Sequence, residues 1–232
     1  MKGTVSYMHI INRNEKIIYE NGQRKKSIIT DNHGKQYYYR TGYFDTEALA
    51  RIAAGRPPYV TRVYDFSRYH LVTDYIEGPK LSHSSIVGAH IFSVIAEICD
   101  ALAAIHSMDI TLTDLQSSGI ILMPDGNITI TGIEKAVYID NGIVTVPPFG
   151  GTDYVSAPEL LEALGIDRKT DIYALGYIIN EMLYWDPYYR KFLNPIIARC
   201  MEPVPIYRYG TADDVKAEVE AIAKQIFPFP DT

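Results

Sequence analysis

The period of the hydrophobic pattern changes once along the chain, near residue 78. Before that point, short β-branched and aromatic runs alternate with Asn-Gly and His-Gly turns, which is typical of antiparallel strands. Residues 45–55 have an acidic start, good helix formers and a terminal glycine, which predicts one helix within this region. We therefore expect a five-stranded sheet with one helix. The runs that suggest strands are 10–11, 17–19, 27–30, 37–40, 59–65 and 69–74.

After residue 78 the pattern becomes helical. Apolar residues recur at helical spacing from Ile91 to His106, which predicts a buried helix. Further helical patterns occupy residues 158–164, 170–183, 188–201 and 212–227. The chain is thus predicted to be one α+β domain of two lobes, 1–78 and 79–232, with residues 77–82 as the hinge.

A hairpin is predicted between these helices. Ile120–Leu122 and Ile128–Ile130 flank a turn that contains Asp125 and Gly126, and Asp-Gly between β-branched runs is a strong hairpin signal. Such a hairpin brings the loop around Asp114 and the loop around Gly132 to the same end of the ribbon. We expect a functional site where these loops converge.

Composition and charge narrow the function classes. Hydrophobic residues make up 47% and charged residues 22%, an ordinary globular composition, and the net charge of -6 argues against a nucleic-acid partner. We interpret the only basic run, residues 24–26, as a solvated loop. Cys99 and Cys200 lie in apolar helical patterns and are expected to be reduced and buried. Neither a signal peptide nor a membrane segment is indicated, so a cytoplasmic location is expected.

Three segments in the second half of the chain carry recognisable motifs. Residues 157–159, Ala-Pro-Glu, preceded by 151–156, resemble the end of a kinase activation segment. Residues 171–176 resemble the start of the central helix of the large lobe, in the form common among bacterial Ser/Thr kinases. Residues 200–208 resemble the late segment whose arginine pairs with the glutamate of Ala-Pro-Glu.

The resemblance implies a bilobal kinase-like fold, with an N-terminal antiparallel sheet and one helix followed by a mostly helical C-terminal lobe. Only about 25 residues separate the Asp171 helix from Cys200, which implies that one late helix is missing. A buried carboxylate requires a matched cation, so Glu159 and Arg208 are predicted to form a buried bidentate pair. Asp171 is expected to accept backbone N–H bonds from the Asp114 loop, as in the family. Its alternative role is that of a simple acid near a helix N-terminus.

The catalytic set implied by the resemblance is reduced. The His-Arg-Asp triplet corresponds to residues 112–114, so Asp114 is retained while Leu112 replaces histidine. Gln116 stands in place of the catalytic-loop lysine, and residues 132–134 replace Asp-Phe-Gly. Asp114 is thus the only catalytic acid that remains, and we expect it to serve the hydrogen bonds of its own loop.

The two positions that should hold Mg²⁺ are both glycine. Gly119 stands in place of the metal-binding asparagine and Gly132 in place of the aspartate, and glycine has no side-chain oxygen. We therefore expect no metal and no ordinary Mg-ATP cofactor. Glu134 is interpreted as a solvated loop residue, and a substitute metal ligand is the alternative.

The nucleotide pocket implied by the resemblance has also diverged. Arg40 stands where the family has lysine, Glu47 is its expected partner, and only Gly22 remains of the glycine-rich loop. Tyr38 replaces a small alanine that roofs the adenine, so its ring is expected to occupy part of that volume, unless it simply packs. The remaining predicted pocket residues are Thr73, Tyr75 and Ile121.

The sequence thus predicts a pseudokinase, a kinase-like domain that acts as a binding or regulatory scaffold for a protein partner. The alternative is a divergent Ser/Thr protein kinase, or another ATP-dependent phosphotransferase, that uses Asp114 with Glu134 as a substitute metal ligand. Residues 184, 185, 188 and 189 form an aromatic cluster after the central helix. We interpret it as packing where the missing helix would lie, with a partner surface as the alternative.

Overall fold

The computed structural model describes residues 14–22, 24–84, 86–139, 144–145, 156–162 and 165–228. The strand predicted at residues 10–11 and most of the kinase-like segment 151–156 lie outside the described residues. No described helix is long and apolar enough to cross a membrane.

The first lobe is built on the predicted five-stranded antiparallel sheet. Its strand order is β1-β2-β3-β5-β4, so β1 and β4 form the edges. The fourth strand begins later than predicted, because residues 59–61 pair with Ile130 of the hairpin instead of continuing along the sheet. The strands are β1 Glu15–Asn21, β2 Arg24–Thr30, β3 Gln36–Thr41, β4 Val63–Phe66 and β5 His70–Asp74.

One helix, α1 (Thr46–Gly55), crosses from the sheet towards the second lobe. It begins where the sequence predicts, because the Asp45 side chain accepts hydrogen bonds from the backbone N–H groups of Glu47 and Ala48. Leu49 and Ile52 form its buried stripe and belong to the main hydrophobic core. The helix therefore joins the sheet to the rest of the core.

The second lobe is mostly helical. Its longest helix, α2 (His90–His106), buries Ile91, Ile98 and Ile105 completely, which confirms the predicted buried helix. The remaining helices are α3 Pro158–Leu161, α4 Arg168–Met182, α5 Pro187–Cys200 and α6 Ala212–Ile226. Only residues 183–186 connect α4 to α5, so the predicted absence of one late helix is confirmed.

Short strands connect the helices. They are β6 Ile110–Thr111, β7 Ile120–Leu122, β8 Ile128–Ile130, β9 Val137–Tyr138, β10 Val144–Thr145 and β11 Gly165–Ile166. β7 and β8 form the predicted hairpin, with Ile120 opposite Ile130 and Gly126 in its turn at a φ of 90°. The hairpin therefore places the Asp114 and Gly132 loops side by side.

Helices α4 and α5 approach each other closely at Gly176. A Cβ atom at this position would lie 2.5 Å from the Cβ of Cys200, which is well inside van der Waals contact. The thiols of Cys99 and Cys200 are free and buried, as expected, and burial raises the pKa of the Cys200 thiol to about 12. These cysteines serve packing rather than thiolate chemistry.

The aromatic cluster does not pack where a helix is missing. Trp185 is 88% exposed, and Tyr184 and Tyr188 are exposed beside it, so the packing interpretation is wrong for these three residues. Tyr189 alone turns inward, where its ring contacts Phe92. The short connection between α4 and α5 leaves the other rings without a covering element among the described residues.

An ion pair links the Ala-Pro-Glu segment, residues 157–159, to the late part of the chain. Arg208 Nη1 and Nη2 lie 2.6 and 2.8 Å from the two Glu159 carboxylate oxygens, and both side chains are buried. The predicted bidentate pair therefore forms. Arg208 also donates to the carbonyls of Lys169, Glu202 and Pro203, so its donors hold three chain segments together.

Replacing Glu159 with alanine should lower the free energy of unfolding by about 3 kcal/mol or more, because Arg208 would be left buried without its carboxylate. The measurement is urea denaturation followed by circular dichroism. Glu162→Ala removes an exposed glutamate three residues later and should change stability by less than about 0.5 kcal/mol. Equal losses in the two variants would contradict the assigned role of the pair.

Candidate functional site

A cleft of about 550 Å³ lies between the sheet and the loops on either side of the hairpin. Its roof comes from β2 and β3, its back from residues 74–76, and its floor from residues 114–119 and 131–135. The polar and charged side chains that line it include those of Arg24, Lys26, Tyr38, Arg40, Asp114, Gln116, Glu134 and Lys135.

The floor is held by the buried carboxylate of Asp171. It accepts hydrogen bonds from the backbone N–H groups of Leu112 at 2.9 Å and Thr113 at 3.0 Å. His106 Nε2, at the end of α2, lies 3.0 Å from the same carboxylate. The bonds expected from the resemblance are therefore present, and Asp171 is more than an acid near a helix N-terminus.

These bonds stabilise an unusual backbone conformation. Thr113 has a φ of 59°, in the left-handed region that non-glycine residues rarely adopt. Its hydroxyl donates to the Lys135 carbonyl at 2.8 Å, which ties the Asp114 loop to the loop after Gly132. Leu112 and Ile133 are both fully buried in the main core, so aliphatic packing supports the floor from below.

Asp114 is satisfied by its neighbours in this structure. Lys135 Nζ lies 2.9 Å from one carboxylate oxygen, and Gln116 Nε2 donates to the other at 2.6 Å. The bond to Gln116 is a local loop bond of the kind the sequence predicted. The contact with Lys135 was missed, although a lysine directly after residues 132–134 was a visible signal once the two loops were predicted to converge.

The two glycines meet backbone to backbone. A Cβ atom at Gly119 would lie 3.3 Å from the Gly132 Cα, tighter than most real Cβ contacts, and Thr131 N donates to the Gly119 carbonyl at 2.7 Å. The positions that the resemblance assigns to the metal ligands therefore carry no side-chain oxygen, and at Gly119 a side chain would also crowd the Gly132 backbone. No group of three or more metal-ligating side chains occurs among the described residues. The residues present do not fit the Mg²⁺ arrangement that the resemblance implies.

Arg40 is paired with Glu134 and not with Glu47. Its buried guanidinium forms an ion pair with the Glu134 carboxylate, and its Nη2 donates to the Thr73 hydroxyl at 2.8 Å. Glu134 was interpreted as a solvated loop residue, and this is wrong, because Arg40 binds it and leaves its side chain only 31% exposed.

The predicted Arg40–Glu47 pair is therefore wrong. Glu47 lies on the exposed face of the first turn of α1, where Arg51, one helical turn later, binds it at 2.7 Å. The backbone N–H of Tyr138 donates to Asp45 at the helix start, and the Met108 carbonyl accepts from Arg51. These bonds position α1 without a contact to the arginine of β3.

Tyr38 lines the cleft without filling it. Its ring lies under the Arg40 guanidinium, with 4.7 Å between the Arg40 Cζ and the ring centroid. Burial raises the pKa of the Tyr38 phenol, so the hydroxyl stays protonated at neutral pH. Tyr75 and Ile121 also line the cleft, as predicted, whereas Thr73 lies buried behind Arg40.

The basic run belongs to a strand and not to a loop, whereas the expected solvation is confirmed for Arg24 and Lys26, which are exposed. Residues 24–26 belong to β2, which pairs with both β1 and β3. Because side chains alternate along a strand, Arg24 and Lys26 face the cleft while Lys25 turns to the opposite face and binds Glu15 at 2.7 Å. If the run had been interpreted as a strand, the alternation of side chains between its two faces would have placed Arg24 and Lys26 together on one face.

A family model described as a protein kinase domain matches residues 55–226 of this chain. The chain belongs to the protein kinase family. Among curated relatives, the kinase-family chain is 34% identical over 133 residues to serine/threonine-protein kinase Sgk1-B of Xenopus laevis, an alignment that covers 54% of the chain and 30% of the relative. It is 24% identical over 201 residues to serine/threonine-protein kinase PrkC of Bacillus subtilis, with 70% and 31% covered.

The fold of this kinase-family chain is also found in solved structures. The PknI kinase domain of Mycobacterium tuberculosis superposes with a TM-score of 0.64 at 14% identity, covering 90% of this chain and 94% of that domain. At this identity the likeness establishes the bilobal kinase fold alone. The chain spans about a third of the length of the curated relatives quoted above.

Glu134→Gln should lower the free energy of unfolding by about 2 kcal/mol, because the buried Arg40 would lose its charged hydrogen-bond acceptor. Glu47→Gln is the matched control, since it removes the carboxylate that the sequence assigned to Arg40. Only an exposed pair with Arg51 is lost there, worth about 0.3–0.5 kcal/mol. Urea denaturation measures both, and a larger loss for Glu47→Gln would contradict the observed pairing.

Proposed function

We propose that this kinase-family domain does not catalyse ordinary Mg²⁺-dependent phosphoryl transfer and acts as a binding or regulatory module. The observation that carries the proposal is the contact between Gly119 and Gly132, at the positions where the resemblance places the metal ligands. Kinase catalysis depends on metal ions that neutralise the developing charge on the transferred phosphoryl group. Without their ligands, the largest part of the rate enhancement is lost.

The charges around the cleft support the same proposal. The Asp114 carboxylate is bound by Lys135, and Glu134 is bound by Arg40. Either carboxylate would have to leave a cation before it could receive a metal ion or a substrate proton. In this structure, both carboxylates are already ion-paired with cations of the same chain.

A protein partner is part of the proposal. The Glu159–Arg208 pair and the Asp171 bonds maintain the scaffold around a cleft to which we assign no ordinary catalysis. The exposed rings of Tyr184, Trp185 and Tyr188 have the composition that protein interfaces favour. A scaffold kept in shape with an exposed aromatic surface is suited to binding another protein.

A divergent Ser/Thr protein kinase is the second candidate. Asp114 and Glu134 line the same cleft, and the curated relatives quoted above are named serine/threonine-protein kinases. In this alternative, Glu134 leaves Arg40 and serves as the metal ligand, while Asp114 orients the acceptor hydroxyl. Asp114→Asn and Glu134→Gln would then both abolish the activity.

The test measures thermal unfolding and phosphate transfer in parallel. Adding Mg²⁺ to a sample that contains ATP should not raise the unfolding temperature above that of the same sample with EDTA. A ligand stabilises a protein only if it binds the folded state, and the cleft has no side-chain ligands for Mg²⁺ at Gly119 and Gly132. Labelled ATP should transfer no phosphate to a generic protein substrate. A saturable Mg²⁺-dependent rise, with transfer that Asp114→Asn eliminates, would establish the divergent kinase instead.

A further inference from the structure

The cleft carries more positive charge than the ion pairs of the described residues neutralise. Five described basic residues line it, against three acidic ones. Lys135 binds Asp114, Arg40 binds Glu134, and Asp74 is paired with Lys35 outside the cleft. The described basic residues that remain without a carboxylate are Arg24, Lys26 and Lys80. This local excess of cations is notable in a chain whose net charge is -6.

Arg24 and Lys26 are placed together by the geometry of β2. Two residues apart, they point to the same face of the strand and line the cleft. Lys26 lies directly opposite Arg40 on β3, where like charges repel. Glu134 compensates Arg40, but no described carboxylate compensates Lys26 or Arg24. An anion bound beneath β2 would relieve this repulsion.

Lys25 provides an internal comparison. It lies between these two residues on the same strand, carries the same charge and faces away from the cleft. There its ammonium group is paired with Glu15 at 2.7 Å. Along one strand, the cation that faces away has a carboxylate partner and the two that face the cleft have none among the described residues.

We propose that Arg24 and Lys26 bind the phosphate chain of a triphosphate ligand that carries no metal ion. The guanidinium of Arg24 can bind two phosphate oxygens at once, and the ammonium of Lys26 supplies a compact charge beside it. In ordinary kinases, the backbone N–H groups of a glycine-rich loop and the metal ions bind the phosphates. Here the two cationic side chains would do so instead. The inference rests on the proposed loss of metal binding and assigns the cleft a ligand of its own.

A nucleoside triphosphate and an inorganic polyphosphate share this chemistry, and calorimetry can distinguish them. The intact chain in EDTA is titrated separately with ATP, inorganic tripolyphosphate and adenosine. ATP should bind, and its affinity should fall as salt concentration rises, because the contacts are ionic. Binding of tripolyphosphate as tight as that of ATP would assign inorganic polyphosphate as the ligand class, whereas much weaker binding would assign a nucleotide.

Charge-matched variants locate the site. Arg24→Gln and Lys26→Gln should each weaken binding in EDTA about tenfold or more, whereas Lys25→Gln should change it less than about twofold. All three variants remove one positive charge from the same strand. Their unfolding midpoints are measured alongside, so that a loss of binding is read only from folded protein.

Two results would overturn the inference. One is the absence of binding by both ATP and tripolyphosphate in EDTA, and the other is an equal loss of binding in Lys25→Gln and Lys26→Gln, which would indicate unspecific attraction. The proposed function fails on a different result, Mg²⁺-dependent binding with phosphate transfer. Binding in EDTA without any gain from Mg²⁺ would support both.

Discussion

The cleft floor depends on one buried carboxylate. Asp171, on α4, receives the backbone N–H groups of Leu112 and Thr113 and contacts His106 at the end of α2. An ionised acceptor forms stronger hydrogen bonds than a neutral one, and burial strengthens them further. This single group therefore joins two helices to the loop that carries Asp114. It also stabilises the left-handed conformation of Thr113, from which that loop takes its shape.

Side-chain cations of the cleft neutralise two of the three acids that line it. Lys135 binds Asp114, and Arg40 binds Glu134, with one member of each pair supplied by the loop after Gly132. A kinase of the ordinary kind uses metal ions for this neutralisation. Here, two glycine backbones meet at the positions that the resemblance assigns to the metal ligands, and Lys135 and Arg40 supply the balancing charges from within the chain. Arg24 and Lys26 of β2 are the exception, because no described carboxylate pairs with them, and this is the reason for proposing an anionic ligand.

Much of the fold could be predicted from local patterns. The Asp45 cap, the Ile91–His106 stripe and the Asp-Gly turn each specify their element through neighbouring residues, and all three are observed. The predictions were wrong where the contact of a side chain depends on which of several elements comes near it. Glu47 binds Arg51 one turn away on the same helix, because that contact requires no other element to come closer. Trp185 stays exposed because no element among the described residues covers the short connection on which it lies.

The sequence by itself determined the family and the order of the elements, and it has glycine at the two positions that the resemblance assigns to the metal ligands. It also indicated the Glu159–Arg208 pair, since a buried acid needs a cation and the resemblance identified one. Only the tertiary structure decided which charges meet across the cleft. Arg40 and Glu134 are 94 residues apart, and the approach of β3 to the Gly132 loop depends on packing between lobes. The same holds for Arg24 and Lys26, whose significance depends on which face of β2 turns towards the cleft.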